Sequence, residues 1–186
     1  LVCVKQVPDD SVEIALDPKT GAPVFDGVTP VVNAFDTYAL EMAVRLKETA
    51  GGEVTVLSIG DDSVKNSLKN CLAVGADYAY LAADDAYQSE DPEIIARNLK
   101  AAKEAIEEKT GKKFDIVFCG KETTDFASGQ VGTILAKELS APVTADVVDI
   151  TAGEGSVTAK QETEEGYRLI ESELPCVVTE IGRAHV

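Results

Sequence analysis

The chain has 186 residues, 45% of them hydrophobic, which is enough for a single domain with a substantial apolar core. Its 33 acidic residues outnumber its 17 basic residues, and the net charge of −16 argues against binding to nucleic acid or to an anionic membrane surface. No segment has the length and apolarity of a transmembrane helix, so we expect no membrane insertion.

Four cysteines lie far apart in the sequence and form no C-x-x-C pair: Cys3, Cys71, Cys119 and Cys176. We predict that they are buried, unpaired thiols, as is typical of a protein of the reducing cytoplasm. The single histidine, His185, lies near the end of the chain, which argues against most Ser-His and Cys-His catalytic pairs. No Cys/His cluster has the spacing of a metal site.

The N-terminal part of the chain predicts one buried strand, a hairpin and a helix. Leu1–Val7 is the apolar strand. Val12–Leu16 and Val24–Val28 alternate apolar and polar residues on either side of a turn at Asp17–Gly21, which is typical of a β-hairpin. Asp36 is a suitable N-cap for the helix that follows.

From this helix to residue 139, apolar runs of strand length alternate with amphipathic segments, which predicts βαβ units and a parallel sheet. Right-handed crossovers place helices on both faces and give a Rossmann-like, three-layer α/β/α sandwich. After Pro142, short strands separated by glycine turns indicate antiparallel pairing at one edge of the sheet. The predicted strands are 1–6, 53–59, 78–82 and 114–119, the helices 36–49, 62–74, 92–109 and 129–139, and the edge strands 143–150, 156–161, 167–171 and 176–180.

The segment from Phe114 to Leu135 combines a buried strand, a polar loop and a helix that begins near two glycines, Gly129 and Gly132. Ser128 is positioned to cap this helix. Because each glycine weakens a helix interior by about 1 kcal/mol, a compensating role is expected. The glycines either expose first-turn N–H groups to a nucleotide phosphate or allow close packing of helix on sheet, and the segment alone does not separate these alternatives.

The loops at the carboxyl ends of the predicted parallel strands are the expected place for a ligand. In open α/β sheets, ligands bind beyond these strand ends, where the strand order reverses. If the hairpin folds back, the start of the first helix joins them. Four segments then converge, which favours a nucleotide pocket: Pro8–Asp10, Asn33–Asp36, Gly60–Asp62 and Gly120–Ser128.

Individual charged residues near these loops leave alternatives open. Asp125 either binds a ribose hydroxyl or braces its own loop in an Asx turn. Lys5 and Lys121 either approach a phosphate or lie along the surface with the ammonium group in solvent. The pairs Asp61-Asp62 and Asp84-Asp85 are more typical of solvated loop caps than of a metal or acid site.

Four motifs, in the right order and with the right spacing, resemble the beta subunit of electron transfer flavoproteins. They are L-V-C-V-K-Q-V-P-D at Leu1–Asp9, the segment Asn33–Glu48, L-A-V-G-A-D at Leu72–Asp77, and the stretch Cys119–Gly132. The resemblance extends to Glu180 and implies an adenine-nucleotide-hydrolase-like α/β fold. It also implies a subunit that binds AMP, or a FAD in electron-bifurcating members, and that has no bond-making catalysis of its own. The implied partners are an alpha subunit, which holds the electron-carrying FAD at the subunit interface, and acyl-CoA dehydrogenase-type flavoenzymes.

By position, the resemblance assigns the nucleotide contacts to two segments and two single residues. This chain departs from the family pattern at Ala34, where proline is usual, and at Glu122-Thr123-Thr124, where Gln-Ala-Ile is usual. The implied contacts are Cys3, Asn33, Ala34, Phe35, Asp36, Ile59, Gly120, Lys121, Glu122, Thr123, Thr124, Asp125, Phe126, Ala127, Ser128, Gly129, Gln130 and Val131.

We expect residues 1–180 to form a single nucleotide-binding domain, clipped at its N-terminus and truncated at its C-terminus relative to the family. Residues 181–186, I-G-R-A-H-V, match the translation of a common sequencing adapter, so a non-native tail is expected. A stand-alone adenine-nucleotide-binding regulatory module of the same fold is the alternative function. The absence of an S-G-G-x-D-S loop argues against a third candidate, an ATP pyrophosphatase.

Overall fold

In a computed structural model that describes residues 1–83 and 89–182, the chain forms four α-helices, one 3₁₀ turn and twelve strands. The helices are α1 (Ala34–Ala50), α2 (Lys65–Val74), α3 (Pro92–Thr110) and α4 (Val131–Leu139), and the 3₁₀ turn spans Asp62–Val64. The strands are β1 (Val2–Cys3), β2 (Gln6–Pro8), β3 (Ala15–Leu16), β4 (Pro23–Val24), β5 (Pro30–Val32), β6 (Thr55–Ile59), β7 (Tyr78–Ala82), β8 (Ile116–Gly120), β9 (Val143–Ala152), β10 (Ser156–Thr163), β11 (Gly166–Glu173) and β12 (Cys176–Glu180). The predicted Asp84-Asp85 pair and His185 lie outside the described residues.

The main sheet contains eight of the described strands in the order β11-β10-β9-β12-β8-β1-β6-β7. Every neighbouring pair from β9 to β7 is parallel, whereas β10 and β11 add an antiparallel edge. Helices α1 and α2 cover one face, and α3 and α4 cover the other. The predicted three-layer α/β/α sandwich, with a mostly parallel sheet and antiparallel edge strands, is confirmed.

Successive residues of the central strands point to opposite layers, which explains why these strands are apolar without a break. In β8, Phe118 belongs to the apolar cluster under α1 and α2, and Val117 belongs to the cluster under α3 and α4. Leu40 of α1 and Leu135 of α4 complete the two clusters. All four cysteines lie in these clusters and are buried and unpaired, as predicted.

The first predicted strand, Leu1–Val7, is wrong as a single element. Only Val2–Cys3 belongs to the main sheet, and Gln6–Pro8 pairs instead with β5 in a separate two-stranded sheet. The break comes at Lys5, whose N–H donates to the Asp36 carboxylate at 2.8 Å rather than to a neighbouring strand. The predicted hairpin is present but short, because only β3 and β4 pair across the turn.

The last strand, Cys176–Glu180, lies inside the parallel sheet and not in its antiparallel edge, so its predicted placement is wrong. It pairs in parallel with β8 on one side and with β9 on the other. All five of its residues are buried. A short run that is apolar at successive positions suits a strand covered on both faces, and this strand is covered in that way.

Two helix starts differ from the predicted ones. Asn33, and not Asp36, occupies the N-cap position of α1, because the helix begins at Ala34. Gln130, and not Ser128, precedes α4. Both predicted residues are good capping types, and the side chain of Asp36 is used instead by the N–H groups of Lys5 and Gly120.

A buried carboxylate fixes the connection between α3 and β8. Glu107 is 4% exposed, and its Oε1 accepts hydrogen bonds from Lys103 Nζ at 2.6 Å and from the Phe114 N–H at 3.0 Å. Its Oε2 accepts from Lys113 Nζ at 2.9 Å. Burial acts to raise the pKa of Glu107, but these hydrogen bonds outweigh it and lower the pKa to about 2.

We expect Glu107→Gln to lower the free energy of unfolding by about 2 kcal/mol at neutral pH, after allowing for solvent screening at the exposed Lys113. Because the folded pKa lies below the value of 4.5 for the unfolded chain, this contribution is present above pH 4.5 and is lost as the pH falls toward 2. Urea denaturation near pH 7 and near pH 2 measures the change. Glu108→Gln, at an exposed neighbour, is the control, and equal losses in the two variants would contradict the assignment.

Candidate functional site

The carboxylate of Asp36 joins two strand ends at the carboxyl edge of the sheet. Asp36 lies in the first turn of α1 and is 5% exposed. Its Oδ2 accepts the Lys5 N–H at 2.8 Å, just beyond β1, and its Oδ1 accepts the Gly120 N–H at 3.0 Å, at the end of β8. Burial raises the pKa of Asp36 to about 7, although the two N–H donors counteract part of that rise.

The amide of Asn33 holds the loop that follows β8. Asn33 is fully buried; its Nδ2 donates to the Glu122 carbonyl at 2.9 Å, and its Oδ1 accepts the Thr124 N–H at 3.1 Å. The Asn33 main-chain N–H donates to the Lys5 carbonyl at 2.9 Å. We refer to the Asn33 and Asp36 side chains together as the α1 clamp, because they fasten three chain segments to the start of one helix.

Glycine at position 120 lets β8 come close enough for the α1 clamp to form. A Cβ at Gly120 would lie 2.5 Å from Asp36 Oδ1 and 2.7 Å from Phe35 Cβ. Real Cβ atoms do not approach other heavy atoms this closely. The predicted contact residues Phe35, Asp36 and Gly120 are therefore together in space, and this glycine has a structural reason to be there.

An ion pair closes the outer side of the same loop. Lys5 Nζ contacts Asp125 Oδ2 at 2.7 Å and Oδ1 at 2.9 Å, and it lies 5.6 Å from the centroid of the exposed Phe126 ring. Burial acts to raise the pKa of Asp125, but hydrogen bonds from Lys5 and Thr123 lower it below its usual range. Asp125 thus braces its own loop through Thr123 and also joins the loop to Lys5.

Lys121, the other lysine beside the loop, extends away from it. Its Nζ pairs with Asp146 Oδ1 of β9 at 3.0 Å, and its main-chain N–H donates to the Glu180 carbonyl at 2.8 Å. Lys121 therefore fastens the loop to β9 and β12. Of the two lysines, only Lys5 lies against the turn that contains Asp125.

The start of α4 presents main-chain N–H groups to the loop. The first helical hydrogen bond runs from the Ile134 N–H to the Gln130 carbonyl at 3.0 Å, so the N–H groups of 131–133 precede the helical ladder. Within the described part of the chain, no side-chain hydrogen bond caps this end. The N-terminus of α4 therefore has the free donors and the dipole end that attract anions.

The two glycines near this helix have different surroundings. Gly132 lies against the sheet, where a Cβ would be 2.5 Å from Thr179 Cγ2 and 3.3 Å from Cys119 Cβ. Gly129 has φ +62°, and a Cβ there would find no heavy atom closer than 3.9 Å. Close packing of helix on sheet is confirmed for Gly132, while an open approach for a ligand at Gly129 stays a prediction.

The remaining predicted segments are placed less centrally. Cys3 is buried at the end of β1, and Ile59 is half-buried at the end of β6. Pro8–Asp10 turns toward β5, since the Asp9 N–H donates to the Thr29 carbonyl at 3.1 Å. These observations leave the α1 clamp and the loop after β8 as the core of the site.

Two polar side chains near the site were missed by sequence reasoning. Gln6 joins β2 to the segment after β6, donating to Ser63 Oγ at 2.9 Å and accepting from Ser67 Oγ at 2.7 Å. Ser58 Oγ, beside Ile59 in β6, is the buried side-chain polar atom without a hydrogen-bond partner among the described residues. Gln6 lies in the first of the four motifs but is not among the contacts that the resemblance implies, and Ser58 lies in a strand pattern without a motif, so neither was selected from the sequence.

Metal ligands and membrane-spanning helices are not found in the described part of the chain. Across residues 1–83 and 89–182, no three His, Cys, Asp or Glu side chains are grouped to hold a metal ion. Asp61 serves as a cap, accepting the Ser63 N–H at 2.8 Å, and Asp62 pairs with Lys65 at 2.7 Å. Over the same residues, none of the helices combines the length and apolarity needed to cross a bilayer.

The fold and the position of the site define the class of protein. It is an α/β protein of the open-sheet type, whose ligands bind at the carboxyl edge of a parallel sheet. Residues 24–181 match the family model of the electron transfer flavoprotein domain. The chain belongs to the electron transfer flavoprotein family, and its resemblance to the beta subunit is confirmed.

Three curated relatives illustrate the similarity. The caffeyl-CoA reductase–Etf complex subunit CarD of Acetobacterium woodii is 38% identical over 180 residues, which are 96% of this chain and 66% of the relative. The electron transfer flavoprotein subunit beta of Megasphaera elsdenii is 39% identical, over 97% of this chain and 67% of the relative. Protein FixA of Azotobacter vinelandii is 35% identical, over 96% and 64%. The chain thus spans about two thirds of the length of these relatives.

We expect Asp36 to make the free energy of unfolding fall as the pH rises from about 4 to about 7. Its folded pKa of about 7 lies above the usual 3.8, so the folded state holds the proton more tightly than the unfolded chain does. The free energy of unfolding therefore falls by up to about 4 kcal/mol as the pH rises across this window. Asp36→Asn does not titrate, so its stability should change less over the same range. Urea denaturation at several pH values measures the slopes.

The control for this variant is Glu48→Gln, an exposed carboxyl on the same helix. It should keep the slope of the parent protein. If the free energy of unfolding changes with pH equally in the parent protein and in Asp36→Asn, Asp36 titrates normally and its burial is not maintained in solution.

Proposed function

We propose that this chain is the nucleotide-binding beta subunit of an electron transfer flavoprotein. In this proposal it binds AMP, or a FAD in a bifurcating system, and pairs with an FAD-bearing alpha subunit. The complex carries electrons from or to acyl-CoA dehydrogenase-type flavoenzymes, and the chain itself makes and breaks no bonds. The name of the CarD relative, which mentions a caffeyl-CoA reductase, supports coenzyme A-linked chemistry. The four unpaired cysteines suit a cytoplasmic location.

The observation that carries the nucleotide proposal is the uncapped start of α4 beside a loop that the α1 clamp holds in place. Phosphate binds well at a helix N-terminus, because free N–H groups and the helix dipole both favour an anion. A Cβ at Gly129 would make only ordinary contacts, 3.9 Å from Glu122 Oε2 and from the Lys121 carbonyl oxygen, so this position beside the helix start is not crowded. The residues present therefore fit a nucleotide phosphate. Because the donors are main-chain groups, a chain of net charge −16 needs no basic patch to bind it.

Different residues of this chain would contact the phosphate and position the loop around such a nucleotide. The main-chain N–H groups of 131–133 would hold the phosphate, and the Lys5 ammonium, paired with Asp125, would add a positive charge beside the loop. Asn33 fixes the loop main chain at Glu122 and Thr124, so this part of the loop is in place before a ligand arrives. A flavin, where one is bound, supplies the electron-carrying ring system.

We expect Gly129→Asp to weaken AMP binding at least about tenfold relative to Gly129→Asn, equivalent to about 1.4 kcal/mol. Asn and Asp both tolerate the positive φ of this position, and they have the same shape, so the pair isolates the added negative charge. Isothermal titration calorimetry with AMP, ADP and FAD measures binding, and thermal melts check that both variants fold.

Gly111→Asp is the distant control. Gly111 also has positive φ, at +70°, and open surroundings, but it follows α3. It should leave nucleotide affinity unchanged. Equal affinity of Gly129→Asp and Gly129→Asn for all three nucleotides would place the phosphate elsewhere.

The partner is tested by co-expression with an alpha subunit of the same family. We expect a yellow complex with one copy of each subunit, measured by size-exclusion chromatography with light scattering and by the flavin absorbance spectrum. A colourless homodimer that binds nucleotide and ignores the alpha subunit would support the stand-alone regulatory module instead. The two proposals fail separately. A chain that forms the complex but shows no phosphate site would contradict the nucleotide proposal and leave the partner proposal intact.

A further inference from the structure

Two of the buried cysteines are neighbours on adjacent parallel strands. Val2 of β1 is in register with Phe118 of β8, so the next residues along the strands, Cys3 and Cys119, lie side by side. Both belong to the apolar cluster under α3 and α4, and they therefore share one face of the sheet. Cys3 is 7% exposed and Cys119 is 4% exposed.

The spacing of these strands suits a covalent link. Adjacent strands lie about 4.8 Å apart, and disulfides join residues whose Cα atoms are about 4.4–6.8 Å apart. The proximity of Cys3 and burial together raise the pKa of the Cys119 thiol well above its usual range. No large movement of the main chain is needed to bring the sulfur atoms together.

The other two cysteines provide a contrast within the same molecule. Cys71 of α2 and Cys176 of β12 lie in the cluster on the opposite face of the sheet. Cys176 is in register with Ile116, not with a cysteine. Burial alone raises the pKa of the Cys176 thiol to about 11, and burial is also the main cause of the rise to about 11 at Cys71.

We propose that Cys3 and Cys119 form a dithiol site that a low-molecular-weight disulfide converts into an intramolecular disulfide. The thiolate of one cysteine attacks the oxidant, forming a mixed disulfide and releasing one small thiol. The second cysteine loses its proton, attacks the mixed disulfide and releases the second small thiol. Two electrons pass from the protein to the oxidant, whose S–S bond is replaced by the Cys3–Cys119 bond.

Access to the pair is controlled by the start of α4. A Cβ at Gly132 would lie 3.7 Å from Cys119 Sγ, so the first turn of the helix covers this sulfur. The loop before that turn is largely exposed at residues 124–127 and 129–130. Local opening of this loop and turn uncovers the thiols without unfolding the sheet, and the second thiol is already in place to complete the reaction.

The test is incubation of the folded protein with oxidised glutathione, followed by denaturing alkylation, digestion and mass spectrometry. We expect a Cys3–Cys119 cross-link at a level at least about tenfold above any cross-link that contains Cys71 or Cys176, because proximity favours the intramolecular step. Dithiothreitol should reverse the cross-link, and the oxidised protein should have a higher thermal midpoint. Cys71→Ser and Cys176→Ser are the matched controls and should retain the cross-link.

Two further measurements test the pair, and the first of them needs no substitution at either cysteine. Phenylarsine oxide, which bridges two neighbouring thiols, should bind the unmodified protein at one equivalent and block the glutathione-driven cross-link. Cys119→Ser should leave Cys3 as a stable mixed disulfide. A parent protein in which Cys3 and Cys119 stay reduced, stay as separate glutathione adducts, or pair with other cysteines would overturn the proposal.

Discussion

The candidate site depends on the hydrogen bonds that the buried carboxylate of Asp36 accepts. A carboxylate removed from water is costly unless it accepts hydrogen bonds, and here the donors are the main-chain N–H groups of Lys5 and Gly120. Each donor is thereby taken from the sheet, so β1 ends before Lys5 and β8 turns at Gly120. Asn33, one helical turn earlier, then holds the loop that leaves β8. The first turn of α1 thus determines where two strands end and where the next loop begins.

This arrangement is compatible with the proposed anion site in a strongly acidic chain. The donors at the start of α4 are main-chain groups, whose partial charges do not depend on the overall balance of acidic and basic side chains. The nearby cation, Lys5, is paired with Asp125 of the loop after β8. The proposed site therefore combines main-chain donors with one ion pair, Lys5–Asp125.

Most of the fold could be predicted from the sequence, because strand and helix periods alternate clearly from Thr55 to Leu139. The misplaced strand, Cys176–Glu180, has a composition that suits either an edge or a centre, and only pairing across the chain decides between them. The prediction of Asp36 as the cap of α1 was wrong for a similar reason. Asn33 and Asp36 are both good capping types, and the side chain of Asp36 is used by N–H groups that are 31 and 84 residues away in the sequence.

Gly129 and Gly132 show the same limit within one helical turn. In the sequence they are equivalent, yet Gly129 has a left-handed main chain with no neighbour closer than 3.9 Å to its Cβ position, and Gly132 lies against Thr179 and Cys119. The close approach at Gly132 brings α4 down onto the sheet, and this has two consequences. It places the free N–H groups of the helix at the carboxyl edge, beside the loop held by Asn33, and it covers the Cys119 sulfur. A larger residue at position 132 would push the helix outward, so the proposed anion site and the covering of the Cys119 sulfur both depend on the absence of a side chain there.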